Sequence, residues 1–443
     1  MKRILVLGAG LVAKPLVQYL LDVPEFDVTV ASRTIAKAER LVGDAANGHV
    51  KTVDVDDRQA LEALVREADL AVSLLPYVYH PVVAGLCVKH AKQMVTTSYV
   101  KDAMTELDGD AKQAGVVLLN EIGVDPGIDH MSAMRVIHRI HDRGGKLVSF
   151  RSNTGGLPAP EANDNPMGYK FSWAPRGVVM AGRNPARFLE DGQVVDVPGA
   201  KLFSHHWPAE IAGFGTLEVY PNRDSLPYVD TYGISEVRTM FRGTLRYPGW
   251  CDTLLKIVEL GLLDETERTD LAGITFAQLT ARLIGAATTS DLRGALAAHL
   301  QIPADSKPIS DLEWLGFLTD GPLPQGATTL LDVLAMRMLE LMAYAPGERD
   351  MLVMQHEFLA EYPDGSREKT TSTMIDYGVP EGDTSMSRTV GLPAAIATRL
   401  ILQGEIRLSG VQIPVIPEIY EPVLSELERL GIGFEEKTEL LGG

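Results

Sequence analysis

The segment ILVLGAGLVAKPLVQYLL, residues 4 to 21, leaves few folds open to this chain. Ile4-Leu5-Val6-Leu7 is a continuous apolar run of strand length, the pattern of a parallel strand buried on both faces. Gly8-Ala9-Gly10 interrupts it, and Leu16, Leu20 and Leu21 then recur at helical spacing. The alternation continues to residue 123. Strands are predicted at 26–31, 50–55, 70–76, 94–97 and 116–123, with helical stretches at 60–68 and 82–92. Such a pattern forms an α/β fold with a doubly wound parallel sheet, which carries ligands at the carboxyl ends of its strands.

Gly8, Gly10 and Ala13 match G-x-G-x-x-A between the first strand and its helix. Gly8 permits the tight turn, Gly10 lets the backbone approach a pyrophosphate, and Ala13 lets helix and strand pack closely. The helix start adds N–H groups and a partial positive charge, so the motif predicts a dinucleotide site. At the tip of the second strand, where an acid would accept from the ribose 2′-OH of NAD, the chain reads Ser32-Arg33-Thr34. A carboxylate there would repel a 2′-phosphate. Arg33 pairs with one and stacks on adenine, while Ser32 and Thr34 donate hydrogen bonds, so the expected cofactor is NADP(H). Other strand ends nominate Asp54 and Val55, Leu75 and Pro76, Thr97 to Tyr99, and Gly123 to Pro126 with Val124, the last three segments near the nicotinamide. SLLPY, ended by Pro76, has two readings: a lining for the cofactor, or a strand terminator.

Composition narrows the function class. A net charge of −18 repels nucleic acid and anionic membranes, so no partner of either kind is expected, and an anionic ligand needs a local basic pocket. No run approaches the ~18 apolar residues of a membrane span. MKRILVLGAG does not read as a secretory signal. Cys87 and Cys251 lie far apart without CxxC spacing, which predicts inert thiols and a reducing cytoplasm.

Four later stretches are polar and irregular. In NEIGVDPGIDHM, Asp125 precedes Pro126 and is extended, which makes it a substrate candidate. Asp129 is expected to cap the helix carrying Ala133, Val136, Ile137 and Ile140. His130, His138 and His141 lack a ligand partner at metal spacing, so no metal is expected. SNTGGLPAPEANDNPMGYKFSW reads two ways. Thr154, Gly155 and Gly156 could offer backbone amides to a ligand walled by Tyr169 and Trp173, or the stretch is a self-packed loop. YPNRDS carries Arg223, and RGTLRYPGW carries Arg242, Thr244 and Arg246; arginines in such contexts suit bidentate carboxylate binding, and singly they also serve as surface ion pairs. Residues 251–345 show helical spacing, 350–378 a hairpin turning at Pro363–Ser366, and helices close the chain near 391–403 and 420–431.

GAGLVAKP, VASRT, SLLPYVYHP, TTSYV, NEIGVDPGIDH, GGLPAPE…DNPMGYKFSW, YPNRDS, RGTLRYPGW, PGERDM and TVGLPAAIA together resemble, in order and over essentially the whole chain, the saccharopine reductase family of glutamate-forming saccharopine dehydrogenases. The resemblance implies a Rossmann-type domain over 1–123 and about 388–443. It implies an α/β substrate and dimerisation domain over 124–250 and about 346–387, with an all-helical insertion between. It also implies NADP(H) and reversible joining of L-glutamate and 2-aminoadipate 6-semialdehyde to saccharopine, while the long apolar-rich helical insertion leads us to expect a homodimer. Substrate contacts carry onto Ser98, Tyr99, Asp125, Arg223 and Thr244, and cofactor contacts onto Gly8, Gly10, Leu11, Val12, Ser32 to Thr34 and Trp173. Fungal members have Cys at the position of Thr154, so a thiol role there is absent from this chain. Tyr99 and Asp125 are the candidates for proton handling, and pure binding roles for both stay open. Two other readings stand: a carboxynorspermidine dehydrogenase-like imine reductase, against which Arg223, Arg242 and Arg246 argue, and a non-enzymatic NADP-binding regulator.

Overall fold

The structure, a computed structural model, describes residues 1–172 and 175–441. By packing, the chain divides into two units: Met1–Gly145 with Gly382–Glu435, and Lys146–Glu381 with Glu436–Gly443.

The first unit holds the doubly wound sheet expected from the apolar runs. Its strands are β1 (Lys2–Leu7), β2 (Phe26–Ser32), β3 (Gly48–Thr52), β4 (Leu70–Ser73), β5 (Gln93–Thr96) and β6 (Val117–Leu119). The seventh strand, Gly410–Gln412, is returned from the far end of the chain and was not foreseen. The sheet is parallel, in the order Gly410–Gln412, β6, β5, β4, β1, β2, β3. Leu7 pairs with Ala31 on one side and Ser73 on the other, and Ser73 with Thr96, so the carboxyl ends of four strands share one edge. Helices α1 (Ala13–Leu21), α2 (Ile35–Val42), α3 (Arg58–Glu67) and α4 (His80–Lys89) connect the early strands. Helix Ile128–Asp142 also belongs here; Arg135 pairs with Glu428 and His138 bonds Tyr420 on helix Pro417–Arg429. Asp129 is not its N-cap. Gly127 holds that position, and Asp129 Oδ1 accepts from the Gly127 N–H at 2.6 Å.

The second unit is built on a nine-stranded sheet. The centre is β7 (Lys146–Pro158), parallel to Thr239–Arg246 on one side and antiparallel to Asp350–Glu361 on the other. The expected hairpin is Asp350–Glu361 with Arg367–Tyr377. Trp250–Glu259, Phe276–Ile284, Leu292–Leu300, Lys307–Trp314 and Leu330–Leu341 are helices, as their periodicity predicts. Capping boxes at Thr275 and Thr329 start two of them.

Candidate active site

At the carboxyl edge of the first sheet lies a cavity of about 390 Å³. Gly8, Gly10, Ser32, Arg33, Thr34, Asp54, Val55, Leu75 and Pro76 line it, so most of the expected cofactor residues meet there. Gly8 adopts φ +109°, and a Cβ at that position would sit 3.0 Å from the Leu74 carbonyl oxygen. Above Gly10 the space is open, with nothing within 4 Å of a Cβ placed there. Helix α1 starts at Ala13 without a side-chain cap or an acid in its first turn; Ala13 N–H is taken by the Gly10 carbonyl at 3.3 Å and Pro15 has none, so the dipole and the Lys14 N–H are what the helix start offers an anion. Ala13 is fully buried, whereas Leu11 is exposed beside the turn.

The tip of β2 brings groups suited to an anion to the same cavity. Arg33 is exposed, its guanidinium has no hydrogen bond or ion pair among the described residues, and the uncapped start of α2 follows directly. Lys37, one turn into α2, lines the same cavity. Sequence reasoning passed over Lys37 because helical spacing alone does not say that its face turns toward the glycine turn. The remaining expected cofactor residues in this unit, Thr97, Val124 and Pro126, sit in the tight turns after β5 and β6, where Gly123 N–H donates to the Pro126 carbonyl at 2.9 Å. Trp173 lies outside the described residues.

Ser98, Tyr99 and Asp125 gather beyond β5. The Tyr99 hydroxyl donates to Asp125 Oδ1 at 3.0 Å, so the two candidates for proton handling are joined. Glu121, at φ +56°, clamps the segment: its N–H donates to the Ser98 carbonyl at 3.1 Å and its Oε1 accepts from Val100 N–H at 2.8 Å. Its other oxygen meets the fully buried His130 at 2.8 Å, so that histidine is packed against an acid. Backbone strain of this kind is kept where surrounding contacts over-determine it. Glu121 carried no sequence signal.

In the second unit the amides of Thr154 to Gly156 do not form a ligand-facing loop. They lie within β7, Thr154 opposite Thr244 and Met354, and Gly155 opposite Val353. Thr154 and Thr244 are thus side by side on one sheet face. Arg223 is exposed and left-handed at φ +57°. Arg242 is buried; its guanidinium donates to the Tyr228 hydroxyl at 2.9 Å and stacks 4.4 Å from that ring's centre. Arg246 is buried among Tyr169, Tyr220 and Trp250. His206, Glu218 and Cys251 bring possible metal-ligand atoms within 4.8 Å of one another. Their contacts have another explanation. Glu218 accepts from the N–H groups of Gly249 (2.9 Å) and Cys251 (2.6 Å), closing the start of helix Trp250–Glu259. Burial, and next the Glu218 charge, push the Cys251 thiol far up, and Arg246 sits opposite Glu218 in the ladder.

Residues 4–119 match the family described as saccharopine dehydrogenase NADP binding domain, and residues 123–432 the saccharopine dehydrogenase C-terminal domain. The chain is 43% identical to a Schizosaccharomyces pombe protein named saccharopine dehydrogenase (NADP(+), L-glutamate-forming), over 99% of both chains. Its namesake from Saccharomyces cerevisiae is 40% identical with the same coverage. Mitochondrial alpha-aminoadipic semialdehyde synthase of Bos taurus is 38% identical over 99% of this chain and 48% of its own length. The solved apo structure of the histidine-tagged L-Glu-forming saccharopine dehydrogenase of S. cerevisiae superposes with a TM-score of 0.93 at 39% identity, covering 99% of this chain and 100% of that one.

Proposed function

The chain belongs to the saccharopine dehydrogenase family, and from that premise we propose that it is an NADP-dependent, glutamate-forming saccharopine dehydrogenase of lysine metabolism. The amine of L-glutamate condenses with 2-aminoadipate 6-semialdehyde, water leaves, and the C=N bond is reduced to the secondary amine of saccharopine; the reverse direction oxidises and hydrolyses it. The observation that carries this reading is 43% identity along the full length of a relative that bears that name.

Gly8, Gly10, Leu11, Val12 and Ala13 are suited to the pyrophosphate, and Ser32, Arg33, Thr34 and Lys37 to the 2′-phosphate. Asp54, Val55, Leu75, Pro76, Thr97, Val124, Pro126 and Trp173 complete the proposed cofactor contacts. When bound, NADPH supplies hydride to the former aldehyde carbon. The open space over Gly10 and the exposed guanidinium of Arg33 fit that group.

On the substrate, Tyr99 and Asp125 are proposed to move a proton to and from the nitrogen, their hydroxyl–carboxylate hydrogen bond being the path. Ser98, Thr154 and Thr244 are proposed as hydrogen-bonding contacts. Arg223 is the proposed carboxylate partner. Arg242, spent on Tyr228, is better suited to holding that loop: its carbonyl accepts from Asn222 N–H at 2.8 Å and its N–H donates to Ser225 Oγ at 3.1 Å. A cytoplasmic homodimer completes the proposal. The buried free thiols accord with a reducing compartment, and exposed Met336 and Leu339 leave apolar surface on helix Leu330–Leu341 for a partner copy.

The test is turnover by the purified protein. NADPH oxidation with the semialdehyde plus L-glutamate, and NADP reduction by saccharopine, are expected. Turnover with a diamine in place of glutamate, or none with either, would overturn the assignment. Arg223→Ala is expected to raise the KM for saccharopine on the order of 10- to 100-fold, the cost of a lost charged hydrogen bond; an unchanged KM removes Arg223 from carboxylate binding.

A further inference from the structure

His80, the first residue of α4, is only 3% exposed and touches no charged group among its hydrogen-bonding partners. Its Nδ1 lies 2.9 Å from Ser73 Oγ, and its Nε2 lies 2.8 Å from Ser98 Oγ and 3.4 Å from Thr96 Oγ1. One imidazole therefore ties the ends of β4 and β5 to the segment that carries Ser98 and Tyr99. Burial pushes the ring down to about 4, so at neutral pH it has one N–H donor and one bare acceptor nitrogen.

Two independent contacts select the tautomer. The Thr96 hydroxyl donates to the Ser73 carbonyl at 2.9 Å, and a carbonyl can only accept. With its proton spent there, Thr96 Oγ1 can face Nε2 only as an acceptor, which puts the ring proton on Nε2. Ser73 gives the same answer. It is fully buried, and among the described residues its hydroxyl finds only Nδ1. If Nδ1 carried the proton, the Ser73 O–H would be left buried without an acceptor. Nδ1 is therefore bare and accepts from Ser73, while Nε2–H donates to Ser98 Oγ. The Ser98 hydroxyl proton is thereby turned away from His80, which leaves it able to donate to a ligand. The backbone of the segment is fixed separately, by Glu121.

We propose that His80 is a positioning residue: held as the Nε2–H tautomer by Ser73 and Thr96, it makes the Ser98 hydroxyl a directed donor to a carboxylate oxygen of the substrate. This rests on the saccharopine reading of the site. The experiment combines spectroscopy with kinetics. Long-range 1H–15N spectra of histidine-labelled protein, assigned with His80→Gln, are expected to show His80 as the Nε2–H tautomer; an Nδ1–H signal overturns the proposal. In steady-state assays, His80→Ala is expected to raise the saccharopine KM about tenfold, the loss of one oriented hydrogen bond, with the NADP KM within about twofold of wild type. His80→Gln, whose amide can donate to Ser98, is expected to recover most of that loss. Combined with Ser98→Ala, His80→Ala is expected to add no further effect, because its influence passes through Ser98. Independent multiplying effects, or an equal rise in the NADP KM, overturn the positioning role. A wild-type enzyme inert toward saccharopine overturns the substrate while the spectrum still decides the geometry.

Discussion

Position 33 is the proposed point of choice between two cofactors that differ by one phosphate. A guanidinium with no side-chain partner among the described residues, beside an uncapped helix start and Lys37, suits a dianion. Arg33→Asp is expected to raise the NADPH KM about 100-fold through loss of a charged hydrogen bond and added repulsion, while the NADH KM changes by no more than about twofold. Equal losses for both nucleotides would place the 2′-phosphate elsewhere. The two thiols mark the opposite extreme, groups shut off from chemistry. Burial pushes Cys87 up to about 12 and Cys251 further. A raised thiol pKa means almost no thiolate at pH 8. Neither cysteine is expected to react with a thiol reagent in the native protein, and both are expected to react once it is unfolded; fast native labelling of either would contradict that burial.

SNTGGLP looks like a loop because it is polar and rich in glycine, yet it forms the end of the central strand of the second sheet. Gly155 is there for closeness. A Cβ at that position would meet the Leu245 carbonyl oxygen at 2.6 Å and the Leu245 Cβ at 2.8 Å. Gly155→Ala is expected to destabilise the fold by about 1–3 kcal/mol, the cost of overpacking a strand that cannot move aside, read as a lowered urea midpoint; an unchanged midpoint would show that the neighbouring strand yields. The two sheets were unequally legible for a physical reason. Central strands of the first are buried on both faces and spell continuous apolar runs, such as Ile4 to Leu7 in β1 and Leu70 to Val72 in β4. The second buries Ser152, Asn153, Thr154, Arg242, Gln355, His356 and Ser372 in its central strands, and polar residues inside a sheet hide the alternation that announces a strand. Gly410–Gln412 has three residues, too few for any period, and Glu435–Leu441 is solvent-facing along almost its whole length. Among the proposed site residues, Arg33, Tyr99 and Asp125 were legible from type and place at strand ends. His80 and Glu121 were not, because their roles come from distant partners that only the folded chain assembles.

For the molecule as a whole, the −18 charge and the buried imidazole make acid stability a contest of opposing effects. Acidification discharges carboxylates and relieves self-repulsion, which favours the folded state. His80 works the other way. In the unfolded chain it titrates near its ordinary value of 6.5, whereas in the fold burial holds it down to about 4. Between those values the unfolded chain binds a proton that the folded chain refuses. Stability from this group is therefore fully present above about pH 6.5 and is lost as pH falls toward 4, by at most about 3 kcal/mol. Exposed carboxylates that pair with cations, such as Asp108 with Lys112, are held low by those hydrogen bonds and lose their contribution in a more acidic range. The charge effect and the carboxylates are common to the wild type and to His80→Gln, so comparing the two isolates the ring. Urea midpoints at pH 7 and pH 5 are expected to fall in the wild type by more than in His80→Gln, where nothing at position 80 takes up a proton. Parallel declines would mean that the ring admits water or an acid partner and is charged inside the fold.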